Sequence, residues 1–151
     1  MKYITSFLFA SAVLLCHAAQ ADTGVTDFQG FHTQNHTVSC VGYRQSAENP
    51  SFVGCSVNGE FVKHKYKRDK DCELDWGSNF SVRKKGKAEI DCAGDTYAIG
   101  DESRLLKTGQ TVRGDGWTCT AVKDNGIKCL NTQGNGFVLS KKKQMLIHRK
   151  R

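Results

Sequence analysis

Proline is almost missing from this 151-residue chain: Pro50 stands alone, so bending the backbone falls to glycine, asparagine and aspartate. Apolar residues at helical spacing are missing too, which excludes a helical bundle; Glu102 to Lys107 could form a single helical turn. No long, polar, repetitive segment occurs, so no disordered region is expected outside the chain ends. Acidic residues are the minority, 15 against 22 lysines and arginines, for a formal net charge of +7. Catalytic signatures are also lacking. Ser140, in Gly-Phe-Val-Leu-Ser, has no glycine elbow around it.

The N-terminus has the three parts of an export signal. Lys2 supplies the positive end, Tyr3 to Leu15 are largely apolar, and Ala19-Gln20-Ala21 offers small residues before a cut at Asp22. A spanning helix needs about 20 apolar residues, and this run ends sooner, at His17 and Gln20, with no second apolar run after it. Lipid anchoring through Cys16 would require a small residue before it, where this chain has Leu15. The expectation is a cleaved signal peptide at residues 1–21. Residues 22–151 then form one β-rich domain with a short basic C-terminal tail, secreted or periplasmic and not membrane-spanning.

Six cysteines follow the signal, and an even number in a short exported chain reads as a disulfide framework. Between Trp117 and Asn131 two β-favouring runs flank Asp124-Asn125-Gly126, and Asn-Gly tolerates the positive φ of a hairpin turn. Folding back there sets Cys119 against Cys129. Cys40 and Cys55 flank a longer loop in the same way, and Cys72 with Cys92 follows by elimination. Further β-favouring runs are Thr37 to Tyr43, Phe52 to Val57, Phe80 to Arg83 and Phe137 to Leu139, separated by glycine-containing turns. The fold class expected is all-β: a small disulfide-stapled sandwich or barrel built from hairpins. Phe31, Val38, Phe52, Val57, Phe80, Ile90, Trp117, Ile127, Leu130 and Phe137 are its expected core. The first and last hairpins share an Asn after the second cysteine, Asn58 and Asn131, as a diverged repeat or a coincidence of hairpins would.

In order along the chain, Phe31-His-Thr33, Val38-Ser-Cys40, Cys72-Glu-Leu-Asp-Trp-Gly77, Cys92-Ala-Gly-Asp-Thr96, Trp117-Thr-Cys119, Gly126-Ile-Lys-Cys-Leu-Asn131 and Gly134-Asn-Gly-Phe-Val-Leu-Ser140 form a set. With these the chain resembles a family of small exported, cysteine-containing bacterial proteins, a domain of unknown function met in actinobacteria and proteobacteria. It departs from that family at Gln34-Asn35-His36-Thr37. The resemblance implies fold and export; it implies no reaction and no catalytic residues.

Positive charge is gathered in four runs: Lys63, Lys65, Lys67, Arg68 and Lys70; Arg83, Lys84, Lys85 and Lys87; Lys141 to Lys143; and His148 to Arg151. On one face they would bind an acidic polysaccharide, an anionic lipid or nucleic acid; on separate turns they only keep the chain soluble. Tyr66 is the single aromatic among them, and single-strand binders interleave several, so nucleic acid is disfavoured. Asp75 and Asp95 each lie three residues after a bridged cysteine and could form an acid–base pair, or simply cap turns. His32 and His36 share a strand face only at roughly 13 Å, and no third ligand is near. No metal and no cofactor is therefore expected. The leading reading is a non-enzymatic binding or interaction module of unknown partner, an unknown protein or an anionic envelope component. The alternatives are an anion-binding protein of the envelope using the basic runs, and a small hydrolase using Asp75 and Asp95.

Overall fold

The computed structural model describes residues 28–46, 50–59, 65–97, 99 and 102–150. The expected signal at residues 1–21, and Lys63 with its neighbour His64, lie outside them. The described chain forms eleven strands: β1 (Phe28–Thr33), β2 (Val38–Tyr43), β3 (Phe52–Val57), β4 (Asn79–Arg83), β5 (Ala88–Asp91), β6 (Arg104–Leu106), β7 (Thr111–Gly114), β8 (Trp117–Val122), β9 (Gly126–Asn131), β10 (Gly136–Leu139) and β11 (Gln144–Ile147). They make a six-stranded sheet, β5-β4-β3-β2-β1-β6, and a five-stranded sheet, β11-β10-β9-β8-β7. Both sheets are open, so of the two all-β architectures expected the molecule adopts packed sheets rather than a barrel.

Each sheet turns one side inward, as period-2 alternation requires. Phe31, Val38, Val53, Val57, Phe80 and Val82 from the first meet Trp117, Ala121, Ile127, Phe137 and Leu139 from the second, all nearly inaccessible to solvent. Phe80 and Phe137 pack with ring centroids 5.8 Å apart, and Phe31 and Trp117 at 6.0 Å. The Trp117 indole fits because Gly42 and Gly114 carry no side chain; a Cβ on either would fall within its ring. Phe52, Ile90 and Leu130, expected in the core, are half-buried.

The three bridges are Cys40–Cys55, Cys72–Cys92 and Cys119–Cys129. Cys40 lies directly opposite Cys55 on β2 and β3, and Cys119 opposite Cys129 on β8 and β9. These two cross-strand bridges meet in the middle of the molecule, one from each sheet, with Cys55 Sγ 3.8 Å from Cys129 Sγ.

Local structure departs from the sequence-based expectation in four places. Arg104–Leu106 is a strand, parallel to β1, and not a helical turn. Its backbone groups gain partners from β1, and Leu106 reaches the core. Gln144–Ile147, outside the β-favouring runs read from the sequence, is a strand paired with β10. In the last hairpin the left-handed residues are Asp124 (φ 60°) and Asn125 (φ 50°), one position earlier than Asn-Gly implies. Gly126 is needed for closeness instead, since a Cβ there would lie 3.0 Å from the Leu139 carbonyl. Finally, Gln34–His36 is a 3-10 turn in which Asn35 (φ 56°) and His36 (φ 49°) are left-handed. That reversal stacks His36 on His32 with ring centroids 3.8 Å apart, far closer than an extended strand allows.

Candidate functional site

Asn131 ends β9 with its side chain buried, and all its hydrogen-bonding capacity is used across two turns. Its Nδ2 donates to the carbonyls of Arg83 (3.0 Å) and Gly86 (2.9 Å). Its Oδ1 accepts from the backbone N–H groups of Gln133 and Asn135, each at 3.0 Å. The β9–β10 turn then clamps the β4–β5 turn at three more points. Thr132 Oγ1 donates to the Lys84 carbonyl (2.7 Å), Gly86 N–H donates to Gln133 Oε1 (2.7 Å), and Asn135 Nδ2 donates to the Gly86 carbonyl (2.8 Å). Gly86 is required there because its φ is +99°. Asn135 also fixes the chain leaving β11, accepting from the Arg149 N–H at 2.9 Å.

These bonds draw three distant segments around one cavity of about 460 Å³, lined by Gly86, Lys87, Gln133, Asn135, His148, Arg149 and Lys150. Among the described residues its lining includes two lysines and an arginine and no carboxylate. Two of the four basic runs therefore meet, the one at residues 83–87 and the one at 148–150.

The other basic residues have separate positions. Lys84 pairs with Asp115 at 2.8 Å, and this hydrogen bond, with the lysine charge, holds the Asp115 carboxyl below its ordinary range. Arg83 and Lys85 are exposed on the β4–β5 hairpin. Arg68 is turned onto its own loop, donating to the carbonyls of Cys72 (3.0 Å) and Leu74 (2.6 Å). Lys65 lies over the Tyr66 ring at 5.3 Å, and Lys67 is exposed. Lys142 pairs with Asp124 at 3.3 Å in the β10–β11 turn, at the opposite end of that hairpin from His148.

Asp75 and Asp95 lie on neighbouring segments, joined by the Cys72–Cys92 bridge and by the Ala93 N–H donating to the Asp75 carbonyl at 3.2 Å. Both side chains are exposed, and no hydrogen bond links the two carboxylates. Among the described residues no three His, Cys, Asp or Glu side chains gather as metal ligands would. His32 donates to or accepts from Ser103 Oγ at 3.0 Å, and burial followed by the His36 charge lowers its pKa.

One polar cluster carried no signal in the sequence. On the outer face of the first sheet Tyr97 covers Gly54 and donates to Asp91 Oδ2 at 2.9 Å, while Ser81 Oγ donates to Asp91 Oδ1 at 2.7 Å. Burial raises the Asp91 pKa against the pull of those two hydrogen bonds. Burial, then the Asp91 charge, pushes the Tyr97 phenol above its ordinary value. In the unfolded chain the phenol ionises near about pH 10. The folded chain keeps its proton longer, so this contribution is complete below that pH and is lost as the pH rises above it. The urea midpoint should fall between about pH 9 and about pH 11 and fall less in Tyr97→Phe. Equal slopes would show that Tyr97 does not carry the effect.

The class these features define is a disulfide-stapled protein of two packed β-sheets with a cationic surface cavity. The chain matches the model of the family of unknown function DUF6636 over residues 9–147, and it belongs to that family. His148, Arg149 and Lys150, one wall of the cavity, fall beyond the matched residues. No curated protein and no solved structure matches it. Among the described residues no helix is long and apolar enough to cross a membrane.

Proposed function

We propose that this chain is exported with loss of residues 1–21, and that residues 22–151 act outside the cytoplasm as a non-enzymatic binding module for an anionic envelope component. Three bridges support an oxidising compartment. The single observation that carries the anionic specificity is the cavity at Lys87, where lysine and arginine side chains from separate segments share one space without a carboxylate among its described lining residues.

An acidic polysaccharide fits better than a nucleic acid. Among the described residues no Phe, Tyr or Trp lines the cavity, so they offer no stacking platform of the kind that sequence-tolerant strand binding uses. Carboxylate or sulfate groups need only positive charge and N–H donors, which Lys87, Arg149 and Lys150 present.

The test is a titration of the isotope-labelled mature protein with an acidic polysaccharide, with amide signals followed by NMR. Shifts should concentrate at residues 86–87, 133–135 and 148–150. Shifts spread evenly over all lysine-bearing turns would reduce the charge to a solubilising role. The binding module would then have a protein partner, sought elsewhere on its surface.

A further inference from the structure

A second cavity, also about 460 Å³, has the opposite character and lies where both sheets end. β5 closes one side of the six-stranded sheet and β11 one side of the five-stranded sheet. Ile90 and Leu146 come from those two strands, and Trp76 and the Cys72–Cys92 bridge complete an apolar wall. Three exposed carboxylates, Asp69, Asp71 and Glu89, line the same space.

Among the described residues none of those carboxylates is in an ion pair; the ion pairs are Lys84–Asp115 and Lys142–Asp124. Arg68, adjoining Asp69 in the chain, spends its guanidinium on the Cys72 and Leu74 carbonyls. Asp69 Oδ1 accepts from the Asp71 N–H at 3.0 Å, which fixes the acidic turn against the bridge. The Trp76 indole nitrogen is buried and has no hydrogen-bond partner. On a chain with a formal net charge of +7, an aromatic wall beside three acidic residues that no described cation pairs with is a local reversal of sign.

We propose that this cavity receives a lysine or arginine side chain presented by a partner polypeptide. Its methylenes lie along Trp76, Ile90 and Leu146, and its charged head sits among Asp69, Asp71 and Glu89. A polypeptide is favoured over a free amine because β5 is an edge strand among the described residues, so an extended segment can lie along it and aim a side chain inward. The site is separate from the cationic cavity and does not depend on it.

The experiment uses blocked Gly-Gly-X-Gly-Gly peptides with X as lysine, arginine or norleucine, together with butylamine, and follows the two indole N–H signals by NMR. Lysine and arginine peptides should move the Trp76 signal and leave Trp117 in place, with norleucine giving no shift. The exposed pair Asp71→Asn and Glu89→Gln should weaken the lysine peptide several-fold, and Lys87→Gln with Arg149→Gln should leave it unchanged. A norleucine peptide as effective as lysine, no movement of Trp76 at millimolar peptide, or no effect of the carboxylate pair would overturn the proposal. Butylamine binding as well as the lysine peptide would overturn the polypeptide partner.

Discussion

Replacing Cys119 and Cys129 together by alanine is expected to lower the unfolding free energy by about 3 kcal/mol from restored loop freedom alone. A further loss of about 1 kcal/mol or more should come from the space the sulfurs leave. Both residues are fully buried, and their bridge touches the Cys40–Cys55 bridge of the opposite sheet at 3.8 Å. That contact makes the single variant Cys119→Ser a different experiment. The Cys129 thiolate it leaves can attack Cys55, forming a Cys55–Cys129 bridge and releasing Cys40 as a thiolate. Peptide mapping should therefore find some inter-sheet bridge in the single variant and none in the paired one. A paired variant that loses less than about 1 kcal/mol in urea denaturation would show that this bridge does not hold the sheet together.

Asn131→Ala is expected to cost about 3 kcal/mol. It removes four hydrogen bonds at a residue only 7% exposed, leaving the Arg83 carbonyl and the Gln133 and Asn135 N–H groups short of a partner and the Gly86 carbonyl with Asn135 Nδ2 alone. The functional loss should exceed what stability explains. Lys87 is placed by the β4–β5 turn, and Asn131, together with Thr132, Gln133 and Asn135, ties that turn to the one from which Asn135 holds Arg149. Weakened polysaccharide binding at temperatures where the variant is still folded would identify Asn131 as a positioning residue. Unchanged binding would show that the cavity does not depend on the clamp.

What could be read along the chain and what could not divide by the distance between interacting groups. Cys119 and Cys129 are 10 residues apart with turn-forming residues between them, so sequence alone sets them opposite each other. β6 is hidden because its partner, β1, lies some seventy positions earlier; Arg-Leu-Leu has no strand pattern of its own and takes its conformation from His32 and its neighbours. β11 is masked by the lysines before it and the basic residues after it, and only pairing with β10 reveals it.

The cationic cavity was half visible. Lys87 belonged to an evident basic run and Arg149 to another, yet nothing in composition brings positions 87 and 149 together. Asn131, which makes two of the hydrogen bonds joining the β4–β5 and β9–β10 turns, had one sequence signal, the Asn that follows the second cysteine of a hairpin. Its counterpart Asn58 also clamps a turn, donating to the His36 carbonyl (2.6 Å) and Ser39 Oγ (2.8 Å). The likeness between the hairpins thus extends to the use of that side chain, though they lie in different sheets. Tyr97 over Gly54 was invisible because a glycine in a strand does not say what covers it.

The most direct measurement is the affinity of the oxidised mature protein for an acidic polysaccharide, a neutral one, duplex DNA and anionic vesicles across a salt series. The same series is run for Lys87→Gln with Arg149→Gln. The expected result is preference for the acidic polysaccharide, a steep loss with salt, and a roughly tenfold weaker, flatter curve for the variant at low salt. Weak and equal binding to every polyanion, unchanged by the two substitutions, would contradict an anion site at Lys87 and Arg149.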